Sequence, residues 1–539
     1  MKKLAVLATV VTAAGVLGAV PAQAGPSHPQ TASVATATGW TPPPISWGAC
    51  DNSFLNAAKG QCGMLTVPLD YGDPSRGTIQ LAVSRVQHTV DPGSYQGVML
   101  VNPGGPGGSG LVFAAIGAFV PMGAGKAYDW IGFDPRAVGS SRPALSCDPN
   151  YFQGPRPPYQ PAEGSQRAWL DRTATYAAEC GRAGGDLLAH LRTTDTVKDM
   201  DSLRQALGAG QISFYGFSYG TYLGQVYATL YPDRVRRMVL DSNVDPHEVW
   251  YRGNLDQNVA FEVVLKEWFS WLARYDAVYH LGRTGRAVED LWYATKDKLQ
   301  HDPANGVVGG DEWNDIFLTV GYSQSTWVGL GDVFAAWVQT PDPAALASIY
   351  EGIAGVGDDN GYAVYAAVQC SDAPWPTSWA RWRRDNTRVD EKAPFNTWGN
   401  AWFNAPCRTW PVESGTPVHV DGDKAPPVLL VDETLDAATP FAGSLAVREL
   451  FPRSSLIALP GGTSHANSLS GNACLDNQIA SYLSTGALPP RRHGERADAT
   501  CAPVPQPVPA ASPSGRVPTG RPSSAAGMIR RQLLLPLIR

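Results

Sequence analysis

Three apolar runs, DWIGFD at 129–134, QISFYGFS at 211–218 and RVRRMVLDS at 234–242, alternate with segments whose apolar residues recur at helical spacing. In TTDTVKDMDSLRQALG, for example, Val197, Met200, Leu203 and Leu207 fall on one helical face, closed by Gly208. TYLGQVYATLYP reads as a second helix, ended at Pro232. Strands separated by helices of this length form parallel βαβ units, because a parallel pairing needs a long crossover that a helix supplies. Strand signals also occur earlier, in LTVPLDYG, IQLAVSRVQ and GVMLVN. The rhythm lapses between about 245 and 420, where helix-like segments are crowded with tryptophan (Trp250, Trp268, Trp271, Trp292, Trp313, Trp327, Trp337). It returns with PPVLLVDE, a helix over 442–450, the strand SSLIALP and a helix over 477–483. The expected fold is therefore α/β, a mostly parallel sheet with helices on both faces, interrupted by an inserted, mainly helical cap. The sheet domain is assigned to 46–245 and 421–501, the cap to 246–420, and the Pro/Ser-rich 502–539 to a disordered tail.

Residues 1–24 carry Lys2 and Lys3, an apolar stretch from Leu4 to Val20 and the small-x-small site Ala22-Gln23-Ala24, the pattern of a secretory signal peptide. A flexible leader or propeptide follows over 25–45, and a secreted, extracellular product is expected. The apolar stretch is short of the ~20 residues that span a bilayer, so no stable membrane association is expected. Eight cysteines without a CxxC suit disulfides of an oxidising compartment. Sequence-close pairing would join Cys50 to Cys62, Cys147 to Cys180, Cys370 to Cys407 and Cys474 to Cys501, one choice among about 105 connectivities. With 44% hydrophobic and 17% charged residues the chain is globular, not disordered or fibrous. The formal charge of −6 becomes more negative once the leader lysines and five tail arginines are set aside, so the basic footprint of a nucleic-acid binder is absent.

Gly216-Phe217-Ser218-Tyr219-Gly220 matches G-x-S-x-G. The five residues alone say little in a chain with 56 glycines. Their position between a strand and a helix says more, since a tight turn there lifts a serine hydroxyl out of the sheet as a nucleophile. In this architecture the acid and then the histidine follow the serine. Of nine histidines, His465 in LPGGTSHANS directly follows a returning strand, at its carboxyl end. After the preceding strand come Asp432, Glu433 and Asp436; Asp436 lies deeper in the loop and is preferred, with Asp432 its chief rival. The loop Asn102-Pro103-Gly104-Gly105-Pro106-Gly107-Gly108-Ser109-Gly110 follows the strand VMLV, where donors for an oxyanion belong. The backbone N–H groups of Gly105 and Tyr219 are assigned that role. A phosphate loop is rejected, because no Gly-Lys-Ser/Thr follows.

NPGGPGGSG, YDWIGFDPRAVGSS, YGFSYGTYLGQVYATLYPDRVRRMVLD, AVQCSDAPWP, DAATP and the terminal SHANS closely resemble the secreted tripeptidyl aminopeptidases of actinomycetes, serine peptidases of the prolyl-iminopeptidase-like group. The resemblance runs from about 45 to 502. It implies an α/β-hydrolase fold, release of tripeptides from free amino termini, and Ser218, Asp436 and His465 at the family's catalytic positions. The implied partners are peptides or proteins with free N-termini, with no nucleic acid and no metal or organic cofactor. Two positions depart from the pattern: Ala137 replaces the glycine of a DPRG motif, and Gln369 stands where relatives carry glutamate. An exopeptidase also needs a carboxylate for the substrate's α-ammonium, and Asp372 in QCSDAPWP is the candidate. The same machinery could cleave esters or small amides, or remove single residues as a prolyl-type aminopeptidase. A hydrolase shell serving only as a secreted binding protein is a further alternative.

Overall fold

A computed structural model describes residues 40–354 and 358–510; the expected signal peptide and residues 511–539 of the tail lie outside the described residues. Among the described residues nine strands form one sheet in the order β1-β2-β4-β3-β5-β6-β7-β8-β9. These are β1 (Gln61–Pro68), β2 (Thr78–Val86), β3 (Gly97–Asn102), β4 (Tyr128–Phe133), β5 (Ile212–Phe217), β6 (Val235–Asp241), β7 (Val428–Glu433), β8 (Ser454–Leu459) and β9 (Ala499–Thr500). β1 pairs antiparallel with β2, and β2 with β4; every pairing from β4 through β9 is parallel. The fold is that of an α/β hydrolase.

The central strands are buried on both faces, which is why they read as continuous apolar runs rather than as alternations. Leu100, Phe214, Met238, Leu240 and Leu430 enter the core on one face, while Met99, Val101, Tyr215, Phe217, Val239 and Val431 enter the core on the other. Helix Thr193–Ala206 leads into β5, and helix Tyr219–Leu230 leaves it.

Between β6 and β7 the chain is helical, from Tyr251–Arg274 through Thr397–Asn404. Residues 261–350 build a core of their own around Trp268, Trp271, Trp292, Trp313 and Trp327, all with 0% exposure. These five of the tryptophans that mark the stretch in the sequence are therefore packing material. Helix Asn360–Asp372 behaves differently: Tyr362, Val364 and Val368 join the core on one face of the sheet. Four disulfides are formed, Cys50–Cys62, Cys147–Cys180, Cys370–Cys407 and Cys474–Cys501, the sequence-close pairing.

One expectation fails in part. Residues 502–510, read from composition as the start of a disordered tail, run against the body and the cap: the Asn472 amide donates to the Ala502 carbonyl at 2.8 Å, and the Trp271 indole to that of Pro507 at 2.9 Å. Composition predicts no core from such a segment, but a row of carbonyls can still be held by donors from elsewhere.

Candidate active site

Ser218 sits between β5 and helix Tyr219–Leu230 with φ 55° and ψ −127°, a strained conformation for a residue with a side chain. Its N–H donates to the Asp241 carbonyl at 3.1 Å, and its carbonyl accepts from the Thr221 N–H and hydroxyl. These bonds hold the turn in place. The loop after β3 packs directly against it. Gly104 has φ +95°, and a Cβ there would lie 2.6 Å from the Phe217 carbonyl and 2.9 Å from both Ser218 Cβ and Tyr219 N. A Cβ on Gly220 would meet the Asn102 carbonyl at 2.6 Å. Only glycine permits this contact between the two loops.

His465 follows β8 in a loop tied down from several sides. Its N–H donates to the Tyr322 carbonyl at 2.9 Å, the Ala466 N–H to the Ser242 hydroxyl at 2.8 Å, and the Ser468 N–H to Asp241 at 2.8 Å. Glu433 accepts from the Ser464 N–H at 2.6 Å and the Asn467 amide at 2.7 Å. Asp241 and Glu433 thus hold the histidine loop from the ends of β6 and β7. Burial pushes their carboxyls up, to about 6 and about 7.

The imidazole Nδ1 lies 2.8 Å from Asp436 Oδ2 and 3.0 Å from Oδ1. Asp436 is itself oriented by the N–H groups of Ala438 (2.8 Å) and Thr439 (2.9 Å). The other ring nitrogen, Nε2, is buried and bonded to no protein atom. No hydrogen bond yet joins it to Ser218; such contacts commonly tighten only when substrate binds. The rival Asp432 is bonded to the Ser444 hydroxyl at 2.5 Å, and burial holds its carboxyl well above the usual range.

Ser218, Tyr219 and Gly105 line one cavity of about 310 Å³, together with Tyr322 and Thr439, two of the residues that touch His465. A volume of that order suits a small ligand or a short peptide segment. The sequence reading and the structure part over Asp372. Its oxygens accept from the Thr193 N–H (2.7 Å), the Thr193 hydroxyl (2.6 Å) and the Trp250 indole (3.3 Å), and it is not among the cavity's lining residues. Thr193 in turn bonds the Tyr219 hydroxyl at 2.7 Å, so Asp372 braces the helix start that follows Ser218. The carboxylates that do line the cavity are Asp245, Glu248, Asp256 and Asp315. Asp315 is tied to Arg156 at 2.8 Å. Glu248 is half-buried, pairs with the exposed Arg252 at 3.0 Å, and has its carboxyl raised by burial and, despite Arg252, by Asp245 and Asp256. Sequence reasoning missed these acids because no strand-end position marks them. Gln369 also lines the cavity, its Oε1 accepting from Asn254 at 3.2 Å.

Asp134 and Arg136 brace loops. Asp134 accepts from Ser109 (2.6 Å), the Gly110 N–H (3.0 Å) and the Ser140 N–H (2.8 Å), fixing the end of the glycine-rich loop. Arg136 makes a buried bidentate pair with Asp199, at 2.5 and 2.8 Å.

Residues 97–284 match the family model described as alpha/beta hydrolase fold, and 393–501 the one described as TAP-like protein. The chain is 42% identical over 477 residues to a tripeptidyl aminopeptidase of Streptomyces coelicolor, covering 86% of this chain and 87% of the relative. It is 31% identical to serine protease Hip1 of Mycobacterium tuberculosis, covering 83% of this chain and 90% of that protein. A protein named carboxylesterase B from the same organism is also 31% identical, with 83% and 89% covered. With this extent of similarity, the chain belongs to the tripeptidyl aminopeptidase family of α/β-hydrolase-fold serine hydrolases.

Proposed function

We propose that this chain is a secreted serine exopeptidase that releases tripeptides from free amino termini through an acyl-enzyme. The observation that carries this reading is the buried His465–Asp436 pair, whose free Nε2 belongs to a residue flanked by two lining residues of the cavity that Ser218 enters. Asp436 fixes the ring so that Nε2 is the basic nitrogen and stabilises the cation formed when it takes the Ser218 proton. Ser218 Oγ then attacks the carbonyl of the third residue. Negative charge develops on the carbonyl oxygen, where the N–H groups of Gly105 and Tyr219 receive it. The imidazolium returns its proton to the leaving amine, and water activated by the same nitrogen hydrolyses the ester.

A free amino terminus is a cation, and the cavity offers an excess of negative charge around Asp245, Glu248 and Asp256. Those acids, rather than Asp372, are proposed to hold it. Secretion is supported by the leader pattern and by four disulfides, which persist in oxidising compartments.

Mass spectrometry of the products from one long unblocked peptide tests the reading. Successive losses of three residues are expected; single-residue losses would redirect it to a prolyl-type aminopeptidase. The carboxylesterase name borne by one relative favours a second reading, an esterase or amidase. Equal cleavage of N-acetylated and free tripeptide anilides would support that alternative.

A further inference from the structure

The chain beyond β9 forms a strap. Cys501 is joined to Cys474 and donates its N–H to the Ala458 carbonyl at 3.0 Å. From there the sequence places proline at every second position, Pro503, Pro505, Pro507 and Pro509. A residue preceding proline is confined to extended conformations, so the segment is straight before it docks and loses little freedom in docking. Its prolines have no N–H, and it presents carbonyls to donors on the cap. The Gln324 amide donates to Val504 (2.9 Å) and Pro505 (3.3 Å), and the Trp271 indole donates to Pro507 (2.9 Å). The side chains of Arg274 and Gln506 also meet.

Gln324 is the point at which the strap meets the active-site loop. It is buried, at 9% exposure. Its own N–H donates to the Ser464 hydroxyl at 3.3 Å, and two residues earlier the Tyr322 carbonyl accepts the His465 N–H at 2.9 Å. The Tyr322 ring stands edge-on to the imidazole, 5.8 Å between centroids. Released from the strap, the Gln324 amide would lose both carbonyls that fix it, and the segment that carries it would be free to shift. The segment available to relax is the one that holds His465.

We infer that the strap over 501–510 positions the catalytic histidine through Gln324, a positioning residue that does not touch substrate; this rests on the reading of His465 as the general base. Two full-length variants test it: Gln324→Met, similar in length but without a donor, and a chain whose residues 503–509 are replaced by a Gly/Ser sequence of equal length. Each is expected to lower kcat on a tripeptide anilide by about tenfold, with KM within about twofold, to slow phosphonate labelling of Ser218 in parallel, and to displace the acid limb of the pH–rate profile. The two changes combined should cost no more than the strap replacement alone, since a flexible chain no longer holds its carbonyls against Gln324 and so already weakens the contact that Gln324→Met removes. Unchanged kcat with only a lowered melting temperature would overturn the inference, as would losses that multiply. Phosphonate labelling of the parent chain, measured first, tests the serine-hydrolase reading separately; the variants are scored against that parent value. If the strap replacement does not fold, Gln324→Met decides alone by its kcat and pH profile.

Discussion

Asp436 contacts the imidazole of His465 through both carboxylate oxygens, whereas Asp432, four residues earlier, faces away to Ser444. The two acids therefore differ sharply in their expected sensitivity. Asp436→Asn should lower kcat by roughly 10³- to 10⁴-fold, because the amide stabilises the wrong tautomer and cannot balance the imidazolium. Asp432→Asn should leave kcat within about threefold, since that side chain is bonded to Ser444 rather than to His465 and an amide resembles a carboxyl in shape. Steady-state kinetics of the pair checks both.

Gly104→Ala is expected to reduce kcat by about 10²-fold or more. The added methyl would stand 2.6 Å from the Phe217 carbonyl, and the φ of +95° disfavours any side chain. The displaced loop would carry Gly105 away from the developing oxyanion. Kinetics together with the rate of phosphonate labelling measures the loss.

Ala137 has φ +65° and is buried. A left-handed alanine costs about 1 kcal/mol. Ala137→Gly relieves that strain but removes a buried methyl worth about 0.8 kcal/mol, so stability should change by less than about 1 kcal/mol. Ala137→Val places a branched side chain in the same conformation and should cost about 2 kcal/mol or more. Denaturant midpoints for the two variants distinguish these outcomes.

Stability should decline as pH rises from about 4 to 7. Burial raises the carboxyls of Asp134, Asp241 and Asp372 to about 6 and of Glu433 to about 7. A raised carboxyl means that the folded chain binds more protons than the unfolded one in this window, so its contribution is full below the unfolded value and is lost as pH climbs through the folded one. His190, lowered chiefly by burial, acts in the opposite sense, as do the carboxyls of Asp70, Asp201 and Asp498, which lie below their usual value and so act mainly toward the acid end of the range. Melting temperatures measured across this range, in buffers of constant ionic strength, should fall toward neutrality. A profile that rises steadily to pH 7 would contradict this account.

Neutralising Glu248 should distinguish the ammonium site. Glu248→Gln is expected to raise KM for a free tripeptide anilide by about tenfold, the scale of one charge-assisted hydrogen bond, and to leave an acetylated analogue unaffected. Asp372→Asn should instead change kcat and KM together, since its carboxylate supports Thr193 and the Tyr219 hydroxyl at the helix start that follows Ser218.

The placement of Ser218 and His465 after strands of the sheet is legible because the ends of strands fall where periodicity breaks. Asp436 followed from loop depth. What the linear order concealed was set by packing. Asp372 looked available beside a cysteine, but Thr193, far away in sequence, occupies it. Glu248 and Gln324 lie on irregular stretches of the insertion, where no period marks a direction. Residues 502–510 have a disordered composition, and only donors elsewhere in the chain, Asn472, Gln324 and Trp271, reveal an ordered path.

The contact at Gly104 has a consequence for how such an enzyme diversifies. Two backbones touching without an intervening side chain leave no intermediate substitution by which the seat of attack could be gradually reshaped. New substrates must then be accommodated in the helical insertion, where lining residues such as Glu248, Gln369 and Tyr350 can change while the bond-breaking apparatus is inherited whole.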